Sequence, residues 1–332
     1  MKKILFVTAL QLEFDAVKSY LTDIKPVKHP ETGTYYDKGL FIRNEISCEV
    51  FIVEAGAGNN RAAEETSRAI SFFKPDYVFF VGVAGGIKDV TLGNVVASTK
   101  VIGYEMGKAD DVFKPRSDVF QSSYELEQLA KRVKREARWN NKLATKPNSF
   151  VAPIAAGEKI VSSTRTETYK HLKANGSDAL AVEMEGAGFL QAVRVHSSKG
   201  IVIRGISDLL EYKEEADNAG SQPIAANNAA AFAFQMVTEL IQENNYSLSD
   251  LDDLAFKNRL VDKLSSLYEK GPEENNIWKR AGGNVSILTN DANRKSQWYS
   301  AIDILSKGGG GGKITLESLM EEIRKDFPDI LI

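Results

Sequence analysis

Short apolar runs alternate with amphipathic segments over roughly the first 240 residues. Runs rich in β-branched and aromatic residues predict strands, and apolar residues that recur every three or four positions predict helices. This alternation predicts an α/β fold with a mostly parallel or mixed central sheet. The predicted strands are residues 4–9, 41–46, 49–54, 77–83, 95–102, 151–156, 179–183 and 201–206. The predicted helices are residues 13–20, 61–73, 124–138, 186–196 and 225–243.

The pattern changes after the last of these helices, where a polar stretch predicts a linker over residues 245–253. No strand-like run follows the linker. Trp278 and Trp298 lie in this later region, so we expect it to have a hydrophobic core of its own. The chain is predicted to contain an α/β domain over residues 1–244 and a small all-α domain over residues 254–332. The predicted helices of the second domain are 254–268, 277–280, 293–305 and 316–327.

Composition and charge exclude several classes of protein. Lys and Arg total 42 against 45 Asp and Glu, and the resulting net charge of −3 argues against a nucleic-acid binder. One cysteine, Cys48, and three histidines exclude a disulfide scaffold, and we expect neither a metal nor a cofactor. No apolar segment reaches the roughly 18 residues of a membrane span, and Glu13 closely follows the apolar start of the chain, unlike a signal peptide. We therefore expect a cytoplasmic protein that binds neither nucleic acid nor membrane.

Glycine clusters follow two of the predicted strands, over residues 55–61 and 81–86. Glycines at the carboxyl end of a strand let the backbone approach a ligand, and ligands bind at this edge of open α/β sheets. A dinucleotide fingerprint is incomplete, because Arg61 stands where its third glycine would be. The later glycine run 308–312 lacks the Ser or Thr of a phosphate loop, since Ile314 stands in its place, and it is predicted to be an interhelical turn.

Acidic residues also stand at the ends of predicted strands. Glu13 follows the first strand, and Asp208 follows the strand over residues 201–206. Glu183 and Glu185 lie where a strand turns into a helix. Each alone could cap a helix or lie on the surface, but their shared placement predicts that they converge over one edge of the sheet. Carboxyl groups in different environments suit acid–base chemistry at a glycosidic bond, although the spacing alone names no substrate.

Five motifs together indicate a family. They are Glu13, Gly56-Ala57-Gly58, Val81-Gly82-Val83-Ala84-Gly85-Gly86, Val182-Glu183-Met184-Glu185 and Arg204-Gly205-Ile206-Ser207-Asp208. In this order, they resemble the purine nucleoside phosphorylase and 5′-methylthioadenosine/S-adenosylhomocysteine nucleosidase superfamily, and most closely its nucleosidase branch. Residues 103–109 further resemble nucleosidase effectors of bacterial anti-phage systems. The resemblance implies a three-layer nucleoside phosphorylase-like domain with a mixed central sheet, which hydrolyses the N-glycosidic bond of a purine nucleotide or nucleoside.

The resemblance also implies a role for each matched residue. Asp208 would protonate purine N7, Ser207 would position Asp208, and Glu13 would activate the attacking water. Met184 would pack against the ribose, and Glu185 would accept hydrogen bonds from its hydroxyl groups. The other residues that the resemblance implies at the substrate site are Gly58, Gly85, Lys159, Ile160, Val161, Glu183 and Arg204.

The chain departs from the family pattern at two places. Phe80 and Val83 replace the Arg and Ser with which the phosphorylases hold phosphate, so hydrolysis is expected rather than phosphorolysis. Ile160 stands where the nucleosidases often stack a Phe on adenine, so base stacking is expected to be weaker.

The resemblance to the effectors implies that the substrate is ATP or a related adenine nucleotide. The 5′-phosphate tail of such a substrate needs positively charged side chains to bind it. Three alternatives stay open: a methylthioadenosine-type nucleosidase, a phosphorylase of nucleoside salvage, and a nucleoside-sensing module without turnover. The presence of both Glu13 and Asp208 argues against the sensor. The candidate cations for the tail are Lys100, Lys108, Lys114, Arg116 and Lys213.

The C-terminal region carries a second resemblance, on residues 278–283, 298–302, the glycine run with 314–316, and 327–328. These resemble a bacterial effector-associated, death-fold-like adaptor domain. The resemblance implies a defence sensor as partner, and the nucleosidase family implies a homo-oligomer. The alternative is a helical oligomerisation appendage.

Overall fold

The computed structural model describes residues 1–332 except 44–45, 109, 112–113, 142, 162, 211–219, 244–253, 290, 292 and 328–332. Its strands are β1 (Lys3–Thr8), β2 (Thr22–Lys28), β3 (Tyr35–Arg43), β4 (Ile46–Glu54), β5 (Tyr77–Gly86), β6 (Val95–Gly103), β7 (Gly107–Lys108), β8 (Lys114–Pro115), β9 (Asp118–Gln121), β10 (Ser149–Ala156), β11 (Ala181–Glu183) and β12 (Gly200–Asp208). Its α-helices are α1 (Gln11–Lys18), α2 (Asn59–Phe73), α3 (Tyr124–Glu136), α4 (Glu167–Asn175), α5 (Gly186–Val195), α6 (Ser221–Glu243), α7 (Leu254–Leu267), α8 (Ile277–Arg280), α9 (Arg294–Ser306) and α10 (Leu316–Asp326).

One large mixed sheet runs through the first part of the chain. Its strand order is β11-β10-β6-β12-β5-β1-β4-β3-β2, and β9 pairs with β6. β1 and β12 both run parallel to β5, whereas β12 is antiparallel to β6. The carboxyl end of β5 also pairs with β11, so β5, β12, β6, β10 and β11 close into a ring. The carboxyl ends of β1, β5 and β12 therefore meet beside the point where β11 closes that ring.

Alternate residues of the inner strands face two separate helical layers. Ile4 and Phe6 of β1 belong to a cluster formed with α1, α3 and α6, whereas Leu5 and Val7 pack with α2 and α5. Because side chains alternate between the two faces of a strand, one continuous apolar run serves both layers. The expected three-layer α/β architecture with a mixed central sheet is confirmed.

The hydrophobic pattern did not predict the strands and the helix whose side chains are mostly exposed to solvent. The outermost strand, β2, has mostly exposed side chains, and α4 buries only Leu172. β9 and the β7–β8 ribbon are short and largely exposed. β5 and β12 are longer than predicted, because their glycine-rich or polar carboxyl ends continue the strand pairing beyond the apolar run.

Residues 242–332 form a second compact unit. Trp278 and Trp298 are fully buried in its core, as expected from their positions in the sequence. The glycine run 308–312 is a turn between α9 and α10, and the Thr315 side chain caps α10 by accepting a hydrogen bond from the Ser318 N–H. The structure divides the chain between residues 241 and 242, while the predicted linker 245–253 lies outside the described residues. The finer domain boundaries stay predictions.

Candidate active site

A cavity of about 180 Å³ opens at the carboxyl ends of the inner strands. Glu13, Glu185 and Asp208 all line it, although they come from distant parts of the chain. Of the other residues predicted at the site, those that also line the cavity are Gly85, Lys159, Ile160, Val161, Glu183, Met184 and Ser207. Gly58 and Arg204 lie behind the lining residues and contact them instead.

Glu13 lies in the first turn of α1, directly after β1. Its Oε2 atom accepts hydrogen bonds from the backbone N–H groups of Ala9 (2.8 Å) and Leu10 (3.0 Å), and its Oε1 atom accepts one from Val83 N–H (2.8 Å). Burial raises the pKa of Glu13, and the charge of Arg204 and the three N–H groups partly oppose this rise. The carboxyl group therefore both caps the helix and faces the cavity in a fixed orientation.

Arg204, on β12, is fully buried beneath the cavity. Its Nη2 atom forms an ion pair with Glu183 and lies 3.3 Å from Glu185 Oε2, while Nη1 lies 3.9 Å from Glu13 Oε1. The guanidinium stacks over the Phe80 ring at 4.3 Å. Burial lowers the pKa of Arg204, but the three carboxyl groups outweigh it and raise the pKa overall. One cation thus links three acidic side chains, and the predicted substrate contact of Arg204 is indirect in this arrangement.

Glu183 and Glu185 have different surroundings although one residue separates them. Glu183 Oε2 accepts hydrogen bonds from the Glu185 N–H (3.1 Å) and the Gly186 N–H (2.8 Å), so Glu183 caps α5. Glu185 Oε1 accepts from the Gly58 N–H at 3.0 Å, where Gly58 has φ +103°, a conformation that favours glycine. Burial raises the pKa of Glu185, and Arg204 counteracts that rise. Glu185 is therefore the carboxyl group of this pair that is placed to receive a ligand.

Asp208 ends β12 and is also buried. The Ser207 hydroxyl donates to Asp208 Oδ2 at 3.0 Å, and the Leu210 N–H donates to Oδ1 at 3.2 Å. Gly85 of β5 pairs with Asp208 on one side and with Val182 of β11 on the other. A Cβ atom on Gly85 would come within 2.8 Å of Leu210 and 3.1 Å of Asp208, so a glycine here leaves the carboxyl group access to the cavity.

The loop over residues 157–161 forms one wall of the cavity. Val161 is buried, whereas Lys159 and Ile160 line the cavity and remain largely exposed to solvent. Lys159 Nζ lies 3.2 Å from Glu105 Oε1, and the Glu158 N–H donates to Glu105 Oε2 at 2.8 Å. Glu105 is therefore the ion-pair partner of Lys159 at the cavity wall.

The candidate cations for a phosphate tail that the structure describes do not line the cavity. Lys100 pairs with Asp178 at 2.8 Å, and Lys108 and Lys114 both pair with Asp110 on the β7–β8 ribbon. Arg116 is exposed and does not line the cavity, and Lys213 lies outside the described residues.

Sequence reasoning missed Gly82, Glu105 and Asn59 as site residues. A Cβ atom on Gly82 would collide with both Arg204 Nη1 and the Glu13 carboxyl group, so this glycine makes room for the buried ion cluster. A glycine inside an apolar strand is a signal for such close packing. Glu105 and Asn59 act through contacts between loops, which no local pattern in the sequence reveals.

The side chains of the described residues include no group of three or more His, Cys, Asp or Glu that could hold a metal ion. Among the helices that the structure describes, none combines the length and apolar character needed to cross a bilayer.

Known proteins resemble this chain in sequence. The family profile described as "Phosphorylase superfamily" matches residues 3–242. The 5′-methylthioadenosine/S-adenosylhomocysteine nucleosidase of Desulfotalea psychrophila is 30% identical over 203 residues, which cover 58% of this chain and 81% of that protein. The protein of the same name from Colwellia psychrerythraea is 27% identical over 246 residues, which cover 70% of this chain and 94% of that protein. The nucleosidase names of these relatives confirm the expectation of an N-glycosidase.

Solved structures share the fold of the first unit. The crystal structure of the Colwellia psychrerythraea nucleosidase in complex with adenine has a TM-score of 0.60 and 25% identity, covering 72% of this chain and 96% of that chain. The futalosine hydrolase of Helicobacter pylori has a TM-score of 0.59 at 23% identity, covering 72% of this chain and 98% of that chain, and supports the fold alone. Since the family profile spans most of the sequence and the fold agrees with it, this chain belongs to the phosphorylase superfamily.

Proposed function

We propose that this protein hydrolyses the N-glycosidic bond of an adenine nucleoside, with water as the nucleophile. The observation that carries the proposal is that Glu13 and Asp208, two carboxyl groups fixed by different partners, line one cavity. Relatives named as 5′-methylthioadenosine/S-adenosylhomocysteine nucleosidases support an adenine nucleoside as substrate. A related structure that contains adenine supports the same base.

Asp208 is the general acid of this reaction. The Ser207 hydroxyl and the Leu210 N–H fix the orientation of its carboxyl group. A proton that passes from Asp208 to purine N7 withdraws electrons from the bond between N9 and C1′ of the ribose. That bond breaks, and its electron pair leaves with the base.

Glu13 is the general base. Its carboxylate accepts a proton from water as the water oxygen forms a bond to C1′, so the products are adenine and the 5′-substituted ribose. Burial raises the pKa of Glu13, which makes the ionised group a stronger base than an exposed glutamate. Three backbone N–H groups keep it oriented toward the attacking water.

Glu185 holds the ribose. Its two oxygen atoms already accept hydrogen bonds from the Gly58 N–H and from Arg204, so the side chain is fixed before substrate binds. The remaining lone pairs can accept the ribose hydroxyl groups. Glu185 and the neighbouring acids place negative charge beside the sugar, which stabilises the positive charge that develops on an oxocarbenium-like transition state.

Hydrolysis is favoured over phosphorolysis by the side chains that line the cavity and those that lie behind its lining. Phe80 is buried beneath Arg204, and Val83 lines the cavity and directs its N–H to Glu13. Within the described part of the chain, the cavity lining provides Lys159 as its one cation, and Lys159 is paired with Glu105. A phosphate nucleophile would find little to bind it.

We further propose that the substrate is a nucleoside whose 5′-substituent lacks phosphate, rather than a nucleotide with a triphosphate tail. The described candidate cations for a phosphate tail are engaged with acids or lie away from the cavity. Glu105, beside the loop 157–161, and Glu158, within it, add negative charge near this wall of the cavity. The expectation of ATP as substrate stays a prediction, and the geometry favours the nucleoside alternative.

A second proposal concerns residues 254–332, which we infer to be an interaction module. The support is that a compact unit with its own core lies beyond the family match, which ends at residue 242. The partner implied by the sequence resemblance is a defence sensor, and the family resemblance implies a homo-oligomer. The effector role predicts that cells expressing the full chain resist phage and that Asp208→Asn abolishes the protection. Full protection by that variant would exclude it.

The substrate proposal is tested by product analysis. Purified full-length protein is incubated with methylthioadenosine, S-adenosylhomocysteine, adenosine, AMP and ATP, and free adenine is measured by liquid chromatography and mass spectrometry. We expect adenine from the nucleosides and little from AMP or ATP. Adenine from ATP alone would support the nucleotide substrate and contradict the proposed 5′ preference.

A further inference from the structure

Asn59, the first residue of α2, connects segments that lie far apart in the sequence. Its Nδ2 atom donates hydrogen bonds to Gly157 O (3.1 Å) and Glu158 Oε1 (2.9 Å). Its Oδ1 atom accepts one from the Gly188 N–H (2.9 Å). Both N–H bonds and the oxygen of the side-chain amide are thus engaged at once.

Each connected segment carries part of the cavity. Asn59 directly follows Gly58, whose N–H holds Glu185. Gly188 lies in the first turn of α5, three residues after Glu185. Gly157 and Glu158 begin the loop 157–161, which supplies Lys159, Ile160 and Val161 to the cavity wall.

The backbones of α2 and α5 also approach closely at this point. A Cβ atom on Gly188 would collide with the carbonyl oxygen of Asn59, so the two helix starts are in contact without an intervening side chain. This contact fixes Asn59 relative to the ribose carboxylate Glu185. The side-chain amide of Asn59 in turn holds the loop 157–161 in place through its hydrogen bonds to Gly157 and Glu158.

We propose that Asn59 is a positioning residue that holds the loop 157–161 against the ribose side of the cavity and thereby sets substrate affinity. The inference rests on the proposed function. An aspartate at this position would place a carboxylate beside the Glu158 carboxylate and the Gly157 carbonyl, both of which are acceptors, and the donors would be lost. Asn59 forms no hydrogen bond with Glu13 or Asp208, so its loss affects binding rather than bond cleavage.

The test compares Asn59→Asp with Asn60→Asp in the full-length protein. Asn60 is exposed, and it has no side-chain hydrogen bond to any residue that the structure describes, so both changes add the same charge to the first turn of α2. We expect Asn59→Asp to raise KM for the cleaved nucleoside about tenfold while kcat stays within about twofold. Backbone amide exchange in a peptide covering residues 157–161 is expected to accelerate. Asn60→Asp should change neither quantity.

Three results would overturn the proposal. An unchanged KM and exchange rate in Asn59→Asp would show that the loop does not depend on the amide, and equal effects in both variants would assign them to charge. A fall in kcat at unchanged KM would mark a general loss of active protein instead and would also overturn it. If Asn59→Asp does not fold, Asn59→Ala and Asn60→Ala replace the pair, with the same expected difference. Absence of turnover in the wild-type protein would contradict the proposed function, whereas the exchange experiment would still decide the role of Asn59.

Discussion

The two units of this protein differ in how many charged groups they bury together. In the first unit, Arg204 has no exposed surface and lies among three carboxyl groups at the base of the cavity. In the second unit, Arg280 pairs with Glu322 and Asp326 at the surface. The core of that unit is formed by aromatic and aliphatic side chains, among them the fully buried Trp298.

The first unit thus buries charged groups beside a cavity, whereas the core of the second unit is formed mainly by apolar side chains. Burying ions costs more free energy than burying apolar groups of similar size, so a buried ion cluster is a poor means of stabilising a core. The cluster around Arg204 instead fixes carboxyl groups where a ligand can reach them. Among its described residues, the second unit buries one cation, Lys257, but the partner carboxyl group of Asp303 stays partly exposed, so no group of carboxyl groups is enclosed there.

The largest expected effect comes from removing the acid of the first unit. Asp208→Asn should reduce kcat by about 10²–10⁴, because the amide cannot protonate the departing base. The matched control is Asp326→Asn, the same change at an ion-paired residue of the second unit, which should leave kcat within about twofold. Steady-state release of adenine measures both. If Asp208→Asn kept more than a tenth of the wild-type kcat, the assigned role would be wrong.

The next effect is on stability. Arg204→Met would leave buried carboxyl groups without their cation and should lower the free energy of unfolding of the first unit by about 3–5 kcal/mol. Arg280→Met removes a partly exposed charge and should cost the second unit about 1 kcal/mol or less. Denaturant unfolding followed with a probe for each unit measures the two values. Equal losses would show that burial does not distinguish the two arginines.

The third prediction concerns the pH dependence of kcat/KM, because acidic groups in the two units have pKa values shifted in opposite directions. Burial raises the pKa of Glu13, whereas hydrogen bonds from Lys257 and Lys307 lower the pKa of Asp303 in the second unit to about 2. Since Glu13 must be ionised to accept a proton, kcat/KM should fall about tenfold per pH unit below its raised pKa. The midpoint of this acidic limb is expected above the ordinary glutamate value. A profile that stays flat through that range would contradict the role of Glu13 as base.

The smallest expected effect concerns the 5′-substituent. Glu105→Gln should release Lys159 from its ion pair, so that its charge can attract the phosphate of AMP. We expect kcat/KM for AMP relative to adenosine to rise only about threefold, because exposed ion pairs are weak. Adding Lys159→Gln should cancel the gain. Competition assays with both substrates measure the ratio, and an unchanged ratio in Glu105→Gln would show that this pair does not discriminate against phosphate.

The sequence pattern predicted the inner parts of the first unit well for a physical reason. Strands such as β1 are buried on both faces, so their apolar runs are continuous and easy to identify. Edge elements such as β2 bury little and carry no comparable pattern. In the second unit, the two tryptophans that are buried in the structure gave a clear sequence signal for a separate core.

The candidate site was predictable only where its residues occupy strand ends. Glu13 and Asp208 follow apolar strands, and both line the cavity. Glu105 and Asn59 lie close to the loop 157–161 only after the chain has folded, so their role depends on tertiary contacts. The sequence likewise could not show that Lys108 and Lys114 share Asp110 as a partner away from the cavity.

The central claim is hydrolysis at the cavity that Glu13 and Asp208 share. It is tested most directly by incubating the protein with adenosine and methylthioadenosine in the presence and absence of inorganic phosphate, and by identifying the sugar product by mass spectrometry. The account predicts adenine and free ribose or methylthioribose at rates that do not depend on phosphate. Turnover that requires phosphate and yields the sugar 1-phosphate would contradict it.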